Sequence, residues 1–438
     1  MAKYAAARGT NDILPGETPK WQFVEAKFRE ICAAYNYREI RTPTFEDTGL
    51  FTRSIGETTD IVSKEMYTFT DRGGRSITLR AEGTAPVVRA YVEHSLGADL
   101  PLSKLYYITS VFRYERPQAG RYREHHQLGV EAIGSADAAL DAEVISLGMS
   151  FLSALGVTGL ELKLNSVGCP RCRPAYVEAL RGFARPFVKD LCASCQTRYD
   201  ANPLRMFDCK DPRCRELLSG APSILDTLDE DCEKHFGDVK RCLEIIGVPF
   251  TVDPRLVRGF DYYTKTVFEI VSEKLGAQNA VLGGGRYDNL VEELGGRPTP
   301  AAGFGMGEER LLLTLEKLGV ELPVDSAVAA FVAPLGDSAK ETAVRLLAEL
   351  RSRGVSAETS YDRRSLKAQM RLAGKLGARF VILLGDDEIS RGAAAVKNME
   401  TGKQTETPLD KVAEQIQQKV RLAPATKRDH ETPLLRED

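Results

Sequence analysis

Charge of one sign is the first thing this chain of 438 residues lacks. Its 59 lysines and arginines stand against 62 aspartates and glutamates, a net charge of −3. A global basic bias is excluded, so any contact with a polyanion must come from local patches. Long apolar runs are lacking too. None approaches the roughly 20 residues that cross a bilayer, and the opening MAKYAAARGTNDILPG has no secretory apolar core. The expectation is a cytoplasmic protein with no membrane segment. Nine cysteines, an odd number without a leader, argue against a disulfide scaffold. There is no GxxxxGK[ST] loop, so a nucleotide would not be held in a P-loop, and there is no HExxH. His94, His125, His126, His235 and His430 form no recognisable nucleophile triad. Arginine is left as the main tool for stabilising charge, which suits phosphoryl or nucleotidyl chemistry.

What is present is concentrated at Val111–Gly134, VFRYERPQAGRYREHHQLGVEAIG. Four arginines, Arg113, Arg116, Arg121 and Arg123, share it with Glu115, Glu124 and Glu131. Ile108–Tyr114 and Gln127–Ile133 alternate with period two and read as paired strands. Pro117 and Gly120 read as the loop between them. One face of the second strand carries Gln127, Gly129, Glu131 and Ile133, and the other carries Leu128, Val130 and Ala132. Positive charge with a nearby carboxylate suits an anionic ligand that also has a cationic or hydrogen-donating part. On pattern alone, a solvated hairpin with surface ion pairs fits equally well.

The rest of the chain reads as an α+β body followed by a second domain. Thr18–Tyr35 has helical spacing, with Trp21, Val24, Phe28, Ile31 and Cys32 on one face. Ala138–Leu155 is a strong helix, and Leu160–Asn165, Phe260–Val271 and Gln278–Leu282 are strands. Residues 166–250 change character, with mostly helical patterns and most of the cysteines. Beyond a linker at Val320–Val324 the pattern alternates: strand Val328–Ala333, helix Lys340–Arg353, strand Val355–Thr359, helix Arg364–Leu376, strand Phe380–Leu384. The expected domains are 1–325, with the insertion at 166–250, then 326–421 and a disordered tail at 422–438. On Arg364–Leu376, Arg364, Lys367, Arg371 and Lys375 share a face opposite Leu366, Met370 and Ala373, which suits a phosphate backbone or merely a solvated surface.

Four further clusters carry chemistry-bearing residues. Arg80–Thr84 sets Glu82 and Thr84 ahead of a helix, where Thr84 also serves as an N-cap. Arg258-Gly259-Phe260-Asp261-Tyr262-Tyr263 sets an arginine before a Gly turn and two tyrosines. Gly283-Gly284-Gly285-Arg286-Tyr287 permits close backbone approach, or simply a bulge or turn. Gly303-Phe304-Gly305-Met306-Gly307 alternates along a strand before Arg310. Cys169-x2-Cys172 and Cys192-x2-Cys195 have zinc-ribbon spacing, with Cys209 and Cys214 nearby. Against zinc, Gly168-Cys169-Pro170 reads as a turn, and a helical insertion is not a ribbon. Structural zinc stays open, and no metal ligand is assigned among the site residues.

Together these motifs closely resemble the histidyl-tRNA synthetases, class II aminoacyl-tRNA synthetases. FRYERPQAGRYREHHQLGVE at 112–131 is similar to motif 2, and GFGMGEERLLL at 303–313 to motif 3. LVRGFDYYTKTVFE at 256–269 resembles the histidine-specific signature, and Arg41-Thr42-Pro43 sits where motif 1 joins the dimer. The resemblance implies a class II catalytic domain, an antiparallel sheet flanked by helices with a helical insertion. It also implies a C-terminal α/β anticodon-binding domain. It implies activation of L-histidine with ATP and Mg²⁺, transfer to histidine tRNA, and a homodimer. Arg258 and Arg113 would be catalytic. Glu82, Gly83, Thr84, Arg113, Gln127, Glu131, Arg258, Tyr262, Tyr263 and Tyr287 would bind histidine, with Glu131 and Tyr263 on the imidazole and Tyr262 and Tyr287 as walls. Arg113, Arg121, His125 and Arg310 would bind ATP. Arg116, Gln118 and Arg123 would approach the tRNA. Two residues depart from the pattern. His125 replaces the usual stacking aromatic, which implies pH dependence near the imidazole pKa, and Ala81 replaces a common proline. The alternatives are a non-catalytic regulatory subunit of ATP phosphoribosyltransferase and a class II synthetase for another amino acid.

Overall fold

Period-two patterning builds the central layer. The computed structural model describes residues 4–422 apart from 57, 58, 60, 99, 119, 273–279, 325–327 and 363. Its chain divides into two compact units between Leu322 and Pro323. In the first, Ser103–Phe112 and Glu124–Ile133 form the expected hairpin, with Ser103 opposite Ile133 and Phe112 opposite Glu124. Both strands run longer than the alternation alone suggests. Eight strands follow in the order Arg38–Glu39, Ser103–Phe112, Glu124–Ile133, Ala301–Gly307, Ala280–Arg286, Thr264–Ser272, Leu160–Ser166, Thr251–Val252. Neighbours are antiparallel except at the two edges, where the terminal pairs are parallel. The strand expected from Gln278 is seen from Ala280, and Gln278 and Asn279 lie outside the described residues. The glycine triplet runs within this strand rather than in a turn.

One face of the sheet is dry. Leu128, Val130 and Ala132 pack with Phe268, Ile270, Phe304 and Met306 beneath helices Thr18–Ala34, Ala138–Ala154 and Glu230–Ile245. Thr18–Ala34 buries Val24, Phe28 and Cys32, one face at four-residue spacing. Phe28 meets Phe151 edge-on at 5.1 Å, and burying such a ring contributes about 1.5–3 kcal/mol. Asp137 starts Ala138–Ala154 by accepting from the Ala139 N–H at 2.9 Å. Residues between Ser166 and Thr251 are helical, with helices Arg173–Ala184, Ala193–Ala201, Pro212–Leu217 and Glu230–Ile245 joined by short 3₁₀ turns. Among the described residues no helix is long and apolar enough to cross a membrane.

The dry face conceals a buried ion pair. Arg286 and Asp141 have side chains 0% and 1% exposed. Arg286 also donates to the Ser135 carbonyl at 2.9 Å and pairs with Asp288 at 3.0 Å. Removing one partner of such a pair leaves a buried charge uncompensated, at a cost of about 3–5 kcal/mol. Asp141→Asn should therefore lower the urea midpoint of the first unit by that equivalent. Burial pushes the Asp141 carboxyl up, but Arg286 and His235 outweigh it and hold it at about 2, below its usual 3.8. A depressed carboxylate stabilises above the unfolded pKa and loses that contribution as pH falls through the folded one. The gap between wild type and Asp141→Asn should be full above pH 3.8 and close toward pH 2. An unchanged midpoint at neutral pH would remove the pair from any structural role.

The second unit has a five-stranded sheet ordered Ala357–Thr359, Ala330–Pro334, Phe380–Leu384, Ala393–Asn398, Gln404–Pro408. The first three strands are parallel, as the alternation of strand and helix predicts, and the last two are antiparallel. The sequence pattern does not announce those two. Ala393–Asn398 begins with three alanines, which favour helix, and Gln404–Pro408 is an almost wholly exposed polar edge. The helix expected over Arg364–Leu376 runs Leu366–Lys375. It buries Ala373 and leaves Lys367, Arg371 and Lys375 exposed, but Leu366 is also exposed, and Arg364 precedes the helix paired to Asp362. The last helix runs to Leu422, and the tail at 423–438 lies outside the described residues.

Candidate active site

The other face of the large sheet opens onto a cavity of about 1010 Å³. Its floor is glycine because side chains lie directly on the backbone. A Cβ at Gly305 would collide with the Gln127 amide, one at Gly283 with the Arg258 guanidinium, and one at Gly303 with the Glu131 carboxylate. The alternation of glycine with Phe304 and Met306 thus has two causes. The larger residues fill the core beneath, and Gly303 and Gly305 leave room for Glu131 and Gln127 above, as Gly283 on the next strand does for Arg258.

Guanidinium groups dominate the walls. Arg113, Arg121, Arg258 and Arg310 line the cavity, joined by Arg205 and Lys210 from the insertion. Arg113 is fixed by donating from Nε to the Ala81 carbonyl at 2.8 Å. Glu115 sits between Arg113 at 3.9 Å and Arg121 at 3.2 Å. Arg310 donates to the Ala280 carbonyl at 3.2 Å. Burial and then the neighbouring Arg121 and Arg310 lower the Lys210 ammonium pKa. Burial and Arg121 do the same to Arg310. Crowded cations that disfavour their own charge form a field that a polyphosphate would relieve. Arg258 is held by Glu269 at 2.7 Å, while its Nε is buried with no hydrogen-bond partner. An unsatisfied buried donor in a guanidinium calls for an acceptor.

Beside the arginines lies a layer of carboxylates and hydroxyls. Glu82 is 1% exposed and accepts from the Thr84 N–H at 2.7 Å and the Ala85 N–H at 2.5 Å, capping the Thr84–Glu93 helix. The N-cap position is Gly83, and the acceptors come from Glu82 one residue before it rather than from Thr84. The Thr84 hydroxyl donates to Glu131 at 2.7 Å, and the Tyr287 hydroxyl donates to its other oxygen. Gln127 accepts from the Gly83 N–H at 3.0 Å. Tyr262 stacks on Phe260 at 5.2 Å and meets Tyr263 at 4.7 Å and Tyr287 at 5.5 Å. Burial lifts Glu131 to about 8, against the hydrogen bonds from Tyr287 and Thr84.

The structure gathers most of the sequence-predicted residues. Glu82, Thr84, Arg113, Arg121, His125, Gln127, Arg258, Tyr262, Tyr263 and Arg310 all line the cavity. Glu131 and Tyr287 stand one layer behind it, fully buried, with Thr84 in front. Tyr287 is an anchor for Glu131 rather than a wall. Arg116, Gln118 and Arg123 are outside the cavity on the hairpin loop, and Arg123 lies 3.8 Å over the Tyr114 ring. The pH dependence expected of His125 is also corrected. Burial, then Arg113 and the other cations, push it down to about 3, so its ring is neutral throughout the ordinary pH range. Its neighbour His126 points away, bonded to Glu309 at 2.9 Å, and is raised by that contact. Sequence reasoning missed Glu269, which lies opposite Gly283 in register, and the insertion segment Arg205–Lys210. The glycine under Arg258 was the available signal for Glu269. Nothing local marked the insertion segment.

Comparison with known proteins agrees with this geometry. The family model "Histidyl-tRNA synthetase" matches residues 9–172 and 212–311, and "Anticodon binding domain" matches 329–419. A histidine–tRNA ligase of Caldanaerobacter subterraneus subsp. tengcongensis is 54% identical over 411 residues, 94% of this chain and 99% of that one. The crystal structure of apo histidyl-tRNA synthetase from S. aureus is 41% identical, with a TM-score of 0.81 over 94% of this chain and 100% of that one. A Bacillus halodurans protein described as an ATP phosphoribosyltransferase regulatory subunit/histidyl-tRNA synthetase, 22% identical with a TM-score of 0.63 over 88% of this chain, shares the fold. The sheet with its glycine floor, the arginine-walled cavity and these matches across both units lead to one assignment: the chain belongs to the histidyl-tRNA synthetase family.

Proposed function

We propose that the chain is a histidine–tRNA ligase and that this cavity activates L-histidine with ATP. A histidine carboxylate oxygen attacks the α-phosphorus. The bond from that phosphorus to the bridging oxygen breaks, pyrophosphate leaves, and histidyl-adenylate remains. A hydroxyl of the terminal ribose of histidine tRNA then attacks the acyl carbon, and AMP leaves. The observation that carries the reading is Arg258, whose guanidinium, held by Glu269, lines one cavity together with Arg113, Arg310, Glu82 and Gln127.

The residues divide the work by charge. Arg113 and Arg258 meet the α-phosphate, with Arg258 also holding the histidine carboxylate, and Arg121 and Arg310 meet the outer phosphates. The neutral His125 ring stacks on adenine. Glu82, Gly83, Thr84 and Gln127 receive the ammonium group. Tyr263 and the Thr84–Glu131 pair meet the imidazole, while Tyr262 and Tyr287 keep that end dry. Mg²⁺ accompanies the phosphates. The donor set suits it, since Glu115 and Glu269 bring hard carboxylate oxygens to the cavity and Mg²⁺ takes one or two carboxylates plus substrate phosphates. Bound there, the ion neutralises phosphate charge.

Arg116, Gln118 and Arg123 meet the acceptor end of the tRNA, and the exposed Lys367, Arg371 and Lys375 give the 326–421 domain a basic face for its anticodon stem. We place the protein in the cytoplasm as a homodimer. Phe45 and Phe69, 56% and 47% exposed, share one face of the small sheet Phe45–Asp47, Ser76–Leu79, Thr68–Thr70, and such exposed apolar faces mark contact surfaces. ATP–pyrophosphate exchange measured with each amino acid tests the reading. Histidine alone should stimulate it. Stimulation by another amino acid instead would overturn the substrate, and no stimulation by any would favour a regulatory subunit.

A further inference from the structure

The cysteines of the insertion fall into two groups that spacing alone does not reveal. Cys169 and Cys172 do not join Cys192 and Cys195 in a ribbon. Cys192, Cys195, Cys209 and Cys214 form one cluster, and Cys169, Cys172, Asp229 and Cys232 form another. In each, the four ligand atoms lie within 4.8 Å of one another. We propose that the insertion carries two structural zinc ions, one held by four cysteines and one held by three cysteines and an aspartate.

The sulfur geometry favours a metal over disulfides. Cys172 lies 3.7 Å from Cys169 and 3.8 Å from Cys232, sulfur to sulfur, and Cys192 lies 3.7 Å from Cys209. A disulfide bond is about 2.05 Å. Four sulfurs placed tetrahedrally about 2.3 Å from a zinc ion stand about 3.8 Å apart. Backbone amides are already aimed at the sulfurs, as they would be at thiolates. Cys169 N–H donates to Cys172 Sγ at 3.1 Å, Arg171 N–H to Cys169 Sγ at 3.4 Å, and Cys192 N–H to Cys214 Sγ at 3.2 Å. Asp229 Oδ2 is 3.1 Å from Cys169 Sγ, and Arg171 sits 3.3 Å from Asp229 to offset the negative ligand set. Thiolate-rich tetrahedral sets select zinc over the hard cations that suit oxygen ligands. On binding, the thiols release their protons to solvent and no electron is transferred. Four protein ligands leave no open position, so both sites are structural.

The all-cysteine site has a further consequence. Cys192, Cys195 and Cys209 fall in residues 173–211, which the histidyl-tRNA synthetase family model does not match. Cys209 lies between Asp208 and Lys210, and both of those line the active-site cavity. The ion would therefore pin one wall of that cavity.

Metal content tests the proposal independently of any activity. Full-length protein in metal-scavenged buffer should carry two zinc ions per chain by plasma mass spectrometry. Cys214→Ser and Cys232→Ser should each lose half of that metal and retain one ion. Global misfolding would release both, so the retained ion separates local from global damage. One zinc or fewer in the wild type, another metal in its place, or a variant that keeps two would overturn the assignment. The wild-type stoichiometry decides the matter even where a variant does not fold.

Discussion

Replacing Arg258 with alanine is expected to slow histidyl-adenylate formation by about 10²–10³-fold, equivalent to ~2.7–4 kcal/mol of transition-state stabilisation. The size follows from how the side chain is held. Glu269 fixes Nη1 at 2.7 Å, Gly283 leaves room beneath, and the buried Nε has no partner. The guanidinium is preorganised before substrate arrives. As the carboxylate attacks, charge accumulates on the α-phosphoryl oxygens, and a fixed donor stabilises that charge without reorganising. Alanine removes the donor and leaves Glu269 as a lone carboxylate facing phosphate, which adds repulsion. Lysine should restore little, because a single ammonium cannot bond Glu269 and bridge carboxylate and phosphate together. Histidine affinity should fall less than the rate, since Glu82, Thr84 and Gln127 remain. Single-turnover adenylate formation with equilibrium histidine binding separates the two effects. A normal adenylation rate in Arg258→Ala would take Arg258 out of the chemistry.

Such residues are legible in the sequence because their constraint is local. Glycines at alternate positions of a strand leave space above the sheet, and an arginine beside a Gly turn can reach that space. Chain direction and alternation then place Gln127 and Glu131 on one face, and the register bears this out. What stays hidden depends on partners far along the chain. Glu269 is 11 residues from Arg258, and its role appears only once Gly283 lies opposite it. Asp229 reads locally as the N-cap that receives the Cys232 N–H at 2.8 Å, and the fold also delivers it to Cys169, 60 residues earlier. The titration of His125 is hidden for the same reason. Arg113 and Arg121 stand near it in sequence, but the burial that contributes most to the shift, and the distant Arg310, do not show there. In the second unit, Ala393–Asn398 becomes a strand by pairing with Phe380–Leu384 against its own helical preference.

Glu131→Gln should separate stability from function. The carboxylate is 0% exposed, and both oxygens are occupied by the hydroxyls of Thr84 and Tyr287. Burial lifts its pKa to about 8 from 4.5, despite those bonds. A carboxyl raised on folding binds a proton more readily in the native than in the unfolded chain. Its ionisation therefore erodes stability as pH rises from 4.5 toward 8. Glutamine fits the same space, keeps one oxygen acceptor, offers an amide to the other hydroxyl, and never ionises. The variant should match wild type near pH 4.5 and exceed it increasingly up to pH 8, by up to about 4–5 kcal/mol. Histidine activation should suffer in the opposite direction. Thr84 fronts the cavity and Glu131 governs which way its hydroxyl points. Ionised, the carboxylate only accepts and so fixes that polarity toward the imidazole, whereas an amide both donates and accepts and cannot take the acceptor-only form. A mispaired buried polar group costs about 1–3 kcal/mol, and more for charged partners. A fall of about 10–10²-fold in kcat/KM for histidine in pyrophosphate exchange is therefore expected. The loss should appear mainly in KM, because Arg258 and Arg113 are untouched. Denaturant midpoints across pH, set beside exchange kinetics, test both halves. If Glu131→Gln lowers stability at pH 8, the carboxylate is ionised and well satisfied in the free protein. If it leaves histidine kinetics unchanged, Glu131 plays no part in recognising the imidazole.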